Sequence, residues 1–166
     1  CLGMQAAVIE FARHVADLDG ATSSEFEPTA EHPVIALITE WTKADGTREI
    51  RTEDSDLGGT MRLCVYQAHL AEGSLVRSVY GDKPEIQERH RHRYEFNNKY
   101  LSSYEKAGMI ASGINPENNL VEVMELKNHP FFVAVQFHPE LKSTVANPHP
   151  LFVNFVAASL ANSQKK

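Results

Sequence analysis

The spacing of apolar residues divides the chain into helical and extended stretches. From Gly3 to Ala16, Met4, Ala7, Val8, Phe11, Ala12 and Val15 recur every three or four positions, which predicts a helix with one buried face. "DLDG" ends it, Gly20 being free to turn left-handed. "HPVIALITEW" predicts a buried strand over Val34 to Thr39, and the polar flanks of Asp45-Gly46 predict a hairpin. Further strands are expected near Met61 to Tyr66 and on both sides of the polar turn in "GMIASGINPENNLVEVMEL", and a short helix in "NNKYLSSYEKAG" closed by Gly108. The run "FFVAVQF" is expected as a central strand buried on both faces and stopped by Pro139. A last helix starts near Pro150 and frays in "NSQKK". Helices flanking buried strands, with no repeat or linker between them, predict an α/β domain.

Composition narrows the function. The chain has 166 residues and 42% hydrophobic content, enough for one domain with a substantial core. Its net charge of −6 argues against nucleic acid as a partner, because backbone binding needs concentrated positive charge. No apolar run approaches the roughly 18 residues of a membrane span and no signal-peptide pattern is visible, so a cytoplasmic location without membrane contact is expected. The two cysteines, Cys1 and Cys64, fit free thiols in a reduced compartment. Cys64, in "MRLCVY", is expected to be a buried small hydrophobe.

Cys1 carries the sharper chemistry. A thiol just ahead of a helix meets unpaired backbone N–H groups, which favour a thiolate and can stabilise an oxyanion on a carbonyl attacked by the sulfur. Gly3 suits a sharp elbow, where a side chain is expected to crowd the turn. Cys-x-Gly before a helix also fits a purely structural cysteine, and the pattern leaves both readings open. A thiol nucleophile needs a base, and eight histidines are available. His14 lies on the polar side of the first helix; His32, His129 and His149 precede prolines in loops and are expected to be solvated. His138 follows the apolar run directly, at a strand's carboxyl end, where sites of open α/β sheets collect. Glu140, two residues on across Pro139, can bond the far ring nitrogen and favour the imidazolium. The alternating "RHRHR" is expected as a charged strand facing water; His90 and His92 lack a nearby cysteine or acid to complete a metal site, so no metal is expected.

"CLGMQ", "TSSEF", "ALITEW", "GGTMRL", "ERHRHRYEFNN" and "VAVQFHPE", in this order, resemble the glutaminase domain of the CTP synthase family, within the class I, triad-type glutamine amidotransferases. The resemblance runs through the whole chain and matches the later part of the family's sequence. It implies an α/β fold with a mostly parallel central sheet flanked by helices and additional antiparallel strands, its N-terminal part absent, residues 1–166 being the C-terminal portion of the glutaminase domain. It implies that Cys1 attacks the side-chain amide of L-glutamine, that His138 serves as base and then acid, and that Glu140 orients His138. The Leu2 N–H is implied as an oxyanion donor, with Leu2, Gly3, Met4 and Gln5 lining the glutamine. Glu25 is implied to meet the α-ammonium and Arg93 the α-carboxylate; a free amino acid carries both charges, so a selective pocket needs an acid and a base at its far end. Arg51 resembles an arginine linked to activation by GTP. No cofactor is implied in this domain; ATP, UTP and Mg²⁺ belong to a synthetase domain of the same polypeptide, absent here, where the released ammonia aminates UTP to CTP, the full enzyme being a homo-oligomer, a tetramer.

Other readings remain. A γ-glutamyl hydrolase of the same architecture needs no ammonia transfer, and a silent module only binds glutamine. An N-terminal-nucleophile glutaminase uses the α-amine of Cys1 as base, which accounts for the first residue without missing sequence. The competing expectation is that the chain is a fragment.

Overall fold

The computed structural model describes residues 1–37, 40–42, 48–50 and 61–165. Helix α1 (Leu2–His14) forms where the sequence predicts, burying Met4, Val8, Phe11 and Ala12 along one stripe. After it, Asp17 at φ 53° and Gly20 at φ 68° turn the chain toward β1 (Thr22–Ser23) and β2 (Pro33–Leu37). β3 (Glu40–Thr42) and β4 (Arg48–Ile50) pair antiparallel, as the expected hairpin requires.

Next come β5 (Arg62–Leu70), α2 (Leu75–Val79), β6 (Glu85–His92), β7 (Tyr94–Phe96) and α3 (Leu101–Ala107), which ends at Gly108 with φ 104°, as expected. β8 (Met109–Ile114) and β9 (Val121–Leu126) flank the polar turn, followed by β10 (Val133–Val135), a 3-10 turn at Pro139–Lys142 and α4 (Pro150–Ser163). No helix among the described residues is long and apolar enough to cross a membrane.

Among the described residues the strands form a five-stranded sheet of order β10-β9-β8-β5-β6, a three-stranded sheet β1-β2-β7, and the β3-β4 pair. The α/β class holds, but the parallel pairing expected to dominate is confined here to β1 with β2. Every pairing in the five-stranded sheet is antiparallel. For β8–β9 and β9–β10 the connections are too short for anything but antiparallel pairing, since parallel pairs need crossovers of a dozen residues or more. One core layer joins α1 and α3 to the three-stranded sheet through Val8, Phe11, Ile35, Phe96 and Tyr104. A second, with Val76, Val79, Ile86, Phe137 and Leu151, brings α2 and α4 together with β6 and β9.

The strand buried through its length is β9, not "FFVAVQF". Val121 to Glu125 are all buried, whereas β10 is half-buried at the sheet's edge among the described strands. The sequence hid this because "VEVMEL" carries two glutamates. Both are consumed internally: Glu122 accepts from Arg62 Nη2 at 2.8 Å, and Glu125 accepts from the N–H groups of Leu75 (3.0 Å) and Val76 (2.7 Å), capping α2. β6 differs from expectation too. It alternates exposed and buried, with Glu88, His90 and His92 inside, so only one face of "RHRHR" meets water.

Candidate functional site

β6 ends at His92 and β7 begins at Tyr94, so Arg93 sits where the chain leaves the five-stranded sheet for the three-stranded one. Glu25 follows β1 of that second sheet. Cys1 stands at the mouth of α1, whose position against the sheet edge is fixed by its backbone nitrogen donating to the Val135 carbonyl. These elements bound a cleft of about 480 Å³ lined by Cys1, Leu2, Gln5, Glu25, Arg93 and Tyr94, together with Leu37, Met61, Arg91 and His92. An acid and two guanidinium groups thus share one cavity with the thiol.

Cys1 also lines a second cleft of about 530 Å³, with Gly3, Met4, His138 and Glu140. His138 stands at the entry to the 3-10 turn, its backbone N–H donating to the Arg89 carbonyl at 2.8 Å. Its Nδ1 lies 2.6 Å from Glu140 Oε1. An ionised carboxylate only accepts, so Nδ1 carries the hydrogen and Nε2 is left as the basic nitrogen. Nε2 is buried without a partner among the described residues. Burial works to raise the Glu140 carboxyl, but the hydrogen bond from His138, a backbone N–H and the neighbouring positive charge together outweigh it and hold the group below the ordinary carboxylate range. Lys142 ties down the far end of the turn, donating to the Gln87 carbonyl at 2.6 Å.

Of the residues expected to line the substrate, Gln5 faces the first cleft and Leu2 lines both. Gly3 and Met4 face the second, Met4 being 2% exposed and part of the core. Gly3 is not required for space: a Cβ there meets nothing within 4 Å among the described residues. Arg93 has its Nε buried and unpartnered among the described residues. Arg51 lies outside the described residues.

Two further expectations fail. Cys64 is exposed, because its φ of 125° turns it out of the alternation of β5. His149 is 4% exposed: its Nδ1 accepts from Leu151 N–H at the start of α4 and its Nε2 reaches Glu88 at 3.1 Å, so a loop histidine becomes a buried cap.

Behind the cleft lies a buried polar network that the sequence reading missed. Arg62 bridges Glu95 (2.9 Å) and Glu122 (2.8 Å). Burial, opposed by Arg62, pushes Glu95 up to about 8 and raises Glu122 as well, one guanidinium being unable to compensate two desolvated carboxylates. His92 Nδ1 donates to the Tyr94 carbonyl at 3.2 Å, so its Nε2 accepts from His90 Nδ1 at 2.8 Å. Burial first, and Arg62 second, lower His90 to about 2 and His92 to about 3. Gln136 is fully buried in the same region, its Nε2 3.4 Å from the Tyr94 carbonyl and 3.9 Å from Cys1 Sγ. No local pattern marked Gln136, which lies in the bend past β10 and meets the sulfur only through the packing of that segment beside α1.

A family model described as glutamine amidotransferase class-I matches residues 1–158. Among solved structures, the glutaminase domain of Trypanosoma brucei CTPS with bound acivicin is similar over 96% of this chain at 33% identity, with a TM-score of 0.82. The chain spans 58% of that structure's length. A Thermoplasma acidophilum protein described as one component of a GMP synthase matches over 64% of this chain and 49% of its own at 20% identity, with a TM-score of 0.46. The match along nearly the whole sequence, borne by a fold that gathers Cys1, His138 and Glu140 on one cleft, shows that the chain belongs to the class-I glutamine amidotransferase family.

Proposed function

We propose that this chain carries the glutamine-cleaving site of a CTP synthase. The observation that carries the reading is the 2.6 Å bond between His138 and Glu140, which leaves a basic ring nitrogen on the cleft that Cys1 lines. His138 Nε2 takes the thiol proton as Cys1 Sγ bonds to the side-chain amide carbon of L-glutamine. The oxygen of the resulting tetrahedral centre is held by N–H groups of the first turn of α1, beginning with Leu2, which have no partner within the helix. The imidazolium, stabilised by Glu140, returns the proton to the nitrogen as the C–N bond breaks, giving ammonia and a γ-glutamyl thioester. Water then attacks the thioester, His138 taking its proton and passing it to the sulfur, and glutamate departs.

Glu25 and Arg93 receive the α-ammonium and α-carboxylate in the first cleft; Gly3 and Met4 shape the wall of the second, and Gln5 that of the first. The likeness to a CTPS glutaminase domain supports the finer assignment. In it residues 1–166 are part of a glutaminase domain, and the ammonia passes to a synthetase domain of the same polypeptide that uses ATP, UTP and Mg²⁺ to make CTP. GTP acts through Arg51 as activator, in a cytoplasmic tetramer.

The test is to treat the complete protein with a glutamine-mimicking electrophile and map the adduct by mass spectrometry. Label on Cys1, prevented by excess glutamine, is expected. Label on the exposed Cys64, or none, overturns the assignment. In Cys1→Ala, glutamine-dependent CTP formation is lost while ammonia-dependent formation remains; a γ-glutamyl hydrolase would form no CTP from either.

A further inference from the structure

We propose that Gln136 is a further catalytic group of this site: its side-chain N–H donates to the sulfur of Cys1 and stabilises the nucleophilic thiolate. The inference rests on the glutamine-cleaving reading above, and it follows from how the segment leaving β10 is held. The backbone N–H of Gln136 donates to the Glu122 carbonyl at 2.9 Å, and that of His138 to the Arg89 carbonyl at 2.8 Å. Both residues stand just past the end of β10, in the bend that leads into the 3-10 turn. The histidine of the proposed triad shares a cleft with Cys1, and the glutamine two residues earlier reaches the Cys1 sulfur at 3.9 Å.

Orientation of the amide follows from its neighbours. A carbonyl oxygen can only accept, so the atom 3.4 Å from the Tyr94 carbonyl is the amide nitrogen, and it carries two hydrogens. The Tyr94 carbonyl already receives Gln5 Nε2 at 3.1 Å and His92 Nδ1 at 3.2 Å. With two lone pairs and three donors, the longest contact is the one with least to lose, and that contact belongs to Gln136. The same nitrogen is 3.9 Å from Cys1 Sγ, while Gln136 Oε1 has no partner among the described residues that would resist a turn toward the sulfur.

A neutral thiol is a weak acceptor, whereas a thiolate makes a charge-assisted bond about twice as strong as a neutral one. The donor therefore favours the ionised sulfur over the thiol, which is what a nucleophile needs. Because Gln136 is uncharged, its contribution does not change with pH, unlike that of a neighbouring imidazolium.

The experiment measures the rate of Cys1 alkylation by iodoacetamide against pH in the complete protein, read by peptide mass spectrometry, for wild type, Gln136→Met and Gln136→Glu. Circular dichroism establishes that each is folded. The alkylation midpoint is expected to rise by about one pH unit in Gln136→Met and further in Gln136→Glu, whose carboxylate repels the thiolate, with kcat for glutamine falling about tenfold at neutral pH. Folded variants with the wild-type midpoint overturn the proposal.

Should neither variant fold, wild-type protein with ¹⁵N-labelled glutamine side chains decides. The Gln136 amide resonance is expected to move as Cys1 ionises and to stop moving once Cys1 is blocked by methylthiolation; a resonance indifferent to Cys1 overturns the proposal. Wild-type protein that cleaves no glutamine sinks the functional reading instead, and the alkylation midpoints still decide the role of Gln136.

Discussion

His138 and Glu140, separated by Pro139 alone, are joined by a 2.6 Å hydrogen bond from Nδ1 to Oε1 at the entry to a 3-10 turn. Proline fixes φ at the residue between them, so the bond forms within the turn and needs no distant element to align it. Glu140→Gln keeps the shape but removes the charge that stabilises the imidazolium. It should lower kcat for glutamine hydrolysis about 10²-fold or more, with KM nearly unchanged. Steady-state glutaminase assays check this.

Arg93 presents a buried Nε, without a partner among the described residues, beside the first cleft. Arg93→Lys should raise KM for glutamine by about 10- to 100-fold and change kcat by less than about threefold, because an ammonium lacks the forked donors that match a carboxylate. The effect of Glu25→Gln should be smaller, as Glu25 is exposed. Initial rates at varied glutamine distinguish the two.

The cluster of Arg62, Glu95 and Glu122 makes the two charge types unequal. Arg62→Met leaves buried carboxylates uncompensated and should destabilise the fold by about 3 to 5 kcal/mol. Glu95→Gln should cost far less at pH 7. With its folded value raised from 4.5 to about 8, Glu95 holds a proton in the folded state that the unfolded chain releases. Its stabilising contribution is therefore present below pH 4.5 and is lost as pH rises toward 8. Chemical denaturation at a series of pH values should show the wild type declining over that window and Glu95→Gln flatter.

His90 and His92 act in the opposite sense. Their folded values, about 2 and about 3, lie below the ordinary 6.5, so on acidification the unfolded chain takes up protons that the folded chain refuses. Stability is lost as pH falls below 6.5, by about 2 kcal/mol per histidine at pH 5. In the window from pH 6.5 to 4.5 Glu95 offsets part of this loss; below 4.5 it no longer does. His92→Gln should therefore lose less stability than wild type between pH 6.5 and 4, as followed by thermal melting across that range.

Gly113 admits no side chain. A Cβ placed there lies 2.6 Å from Val123 Cγ2 and 3.0 Å from Val123 Cβ, where the pairing of β8 with β9 shifts register. Gly113→Ala should destabilise by about 1 to 3 kcal/mol through overpacking, measurable by urea titration.

Local signals in the sequence carried much of this architecture. The stripe of α1, Gly108 at the end of α3 and the strand pair around the polar turn all follow from short-range periodicity and backbone preference, which survive folding unchanged. The errors fall where a residue's surroundings come from distant chain. Glu122 and Glu125 read as solvent-facing until Arg62 and the start of α2 are brought to them, and His149 reads as a loop residue until Glu88 arrives. The stretch "FFVAVQF" failed for the complementary reason: apolar composition reports burial, not rank within a sheet. For the candidate site, spacing exposed Cys1, His138 and Glu140, whereas Arg91 and Gln136 emerge only once β6 and the strand end lie side by side with α1.

One stretch of backbone, from Gln87 to Tyr94, anchors the His138 turn through the Gln87 and Arg89 carbonyls and carries the Arg93 guanidinium a few residues on. Acid-base machinery and carboxylate anchor are thereby mounted on a common ruler. In the reaction proposed for this site, an amino acid one methylene shorter than glutamine can satisfy either mark on that ruler but not both. Discrimination against asparagine then needs no steric barrier, and an insertion or deletion within this stretch would reset the length of substrate accepted while every side chain of the site stayed the same.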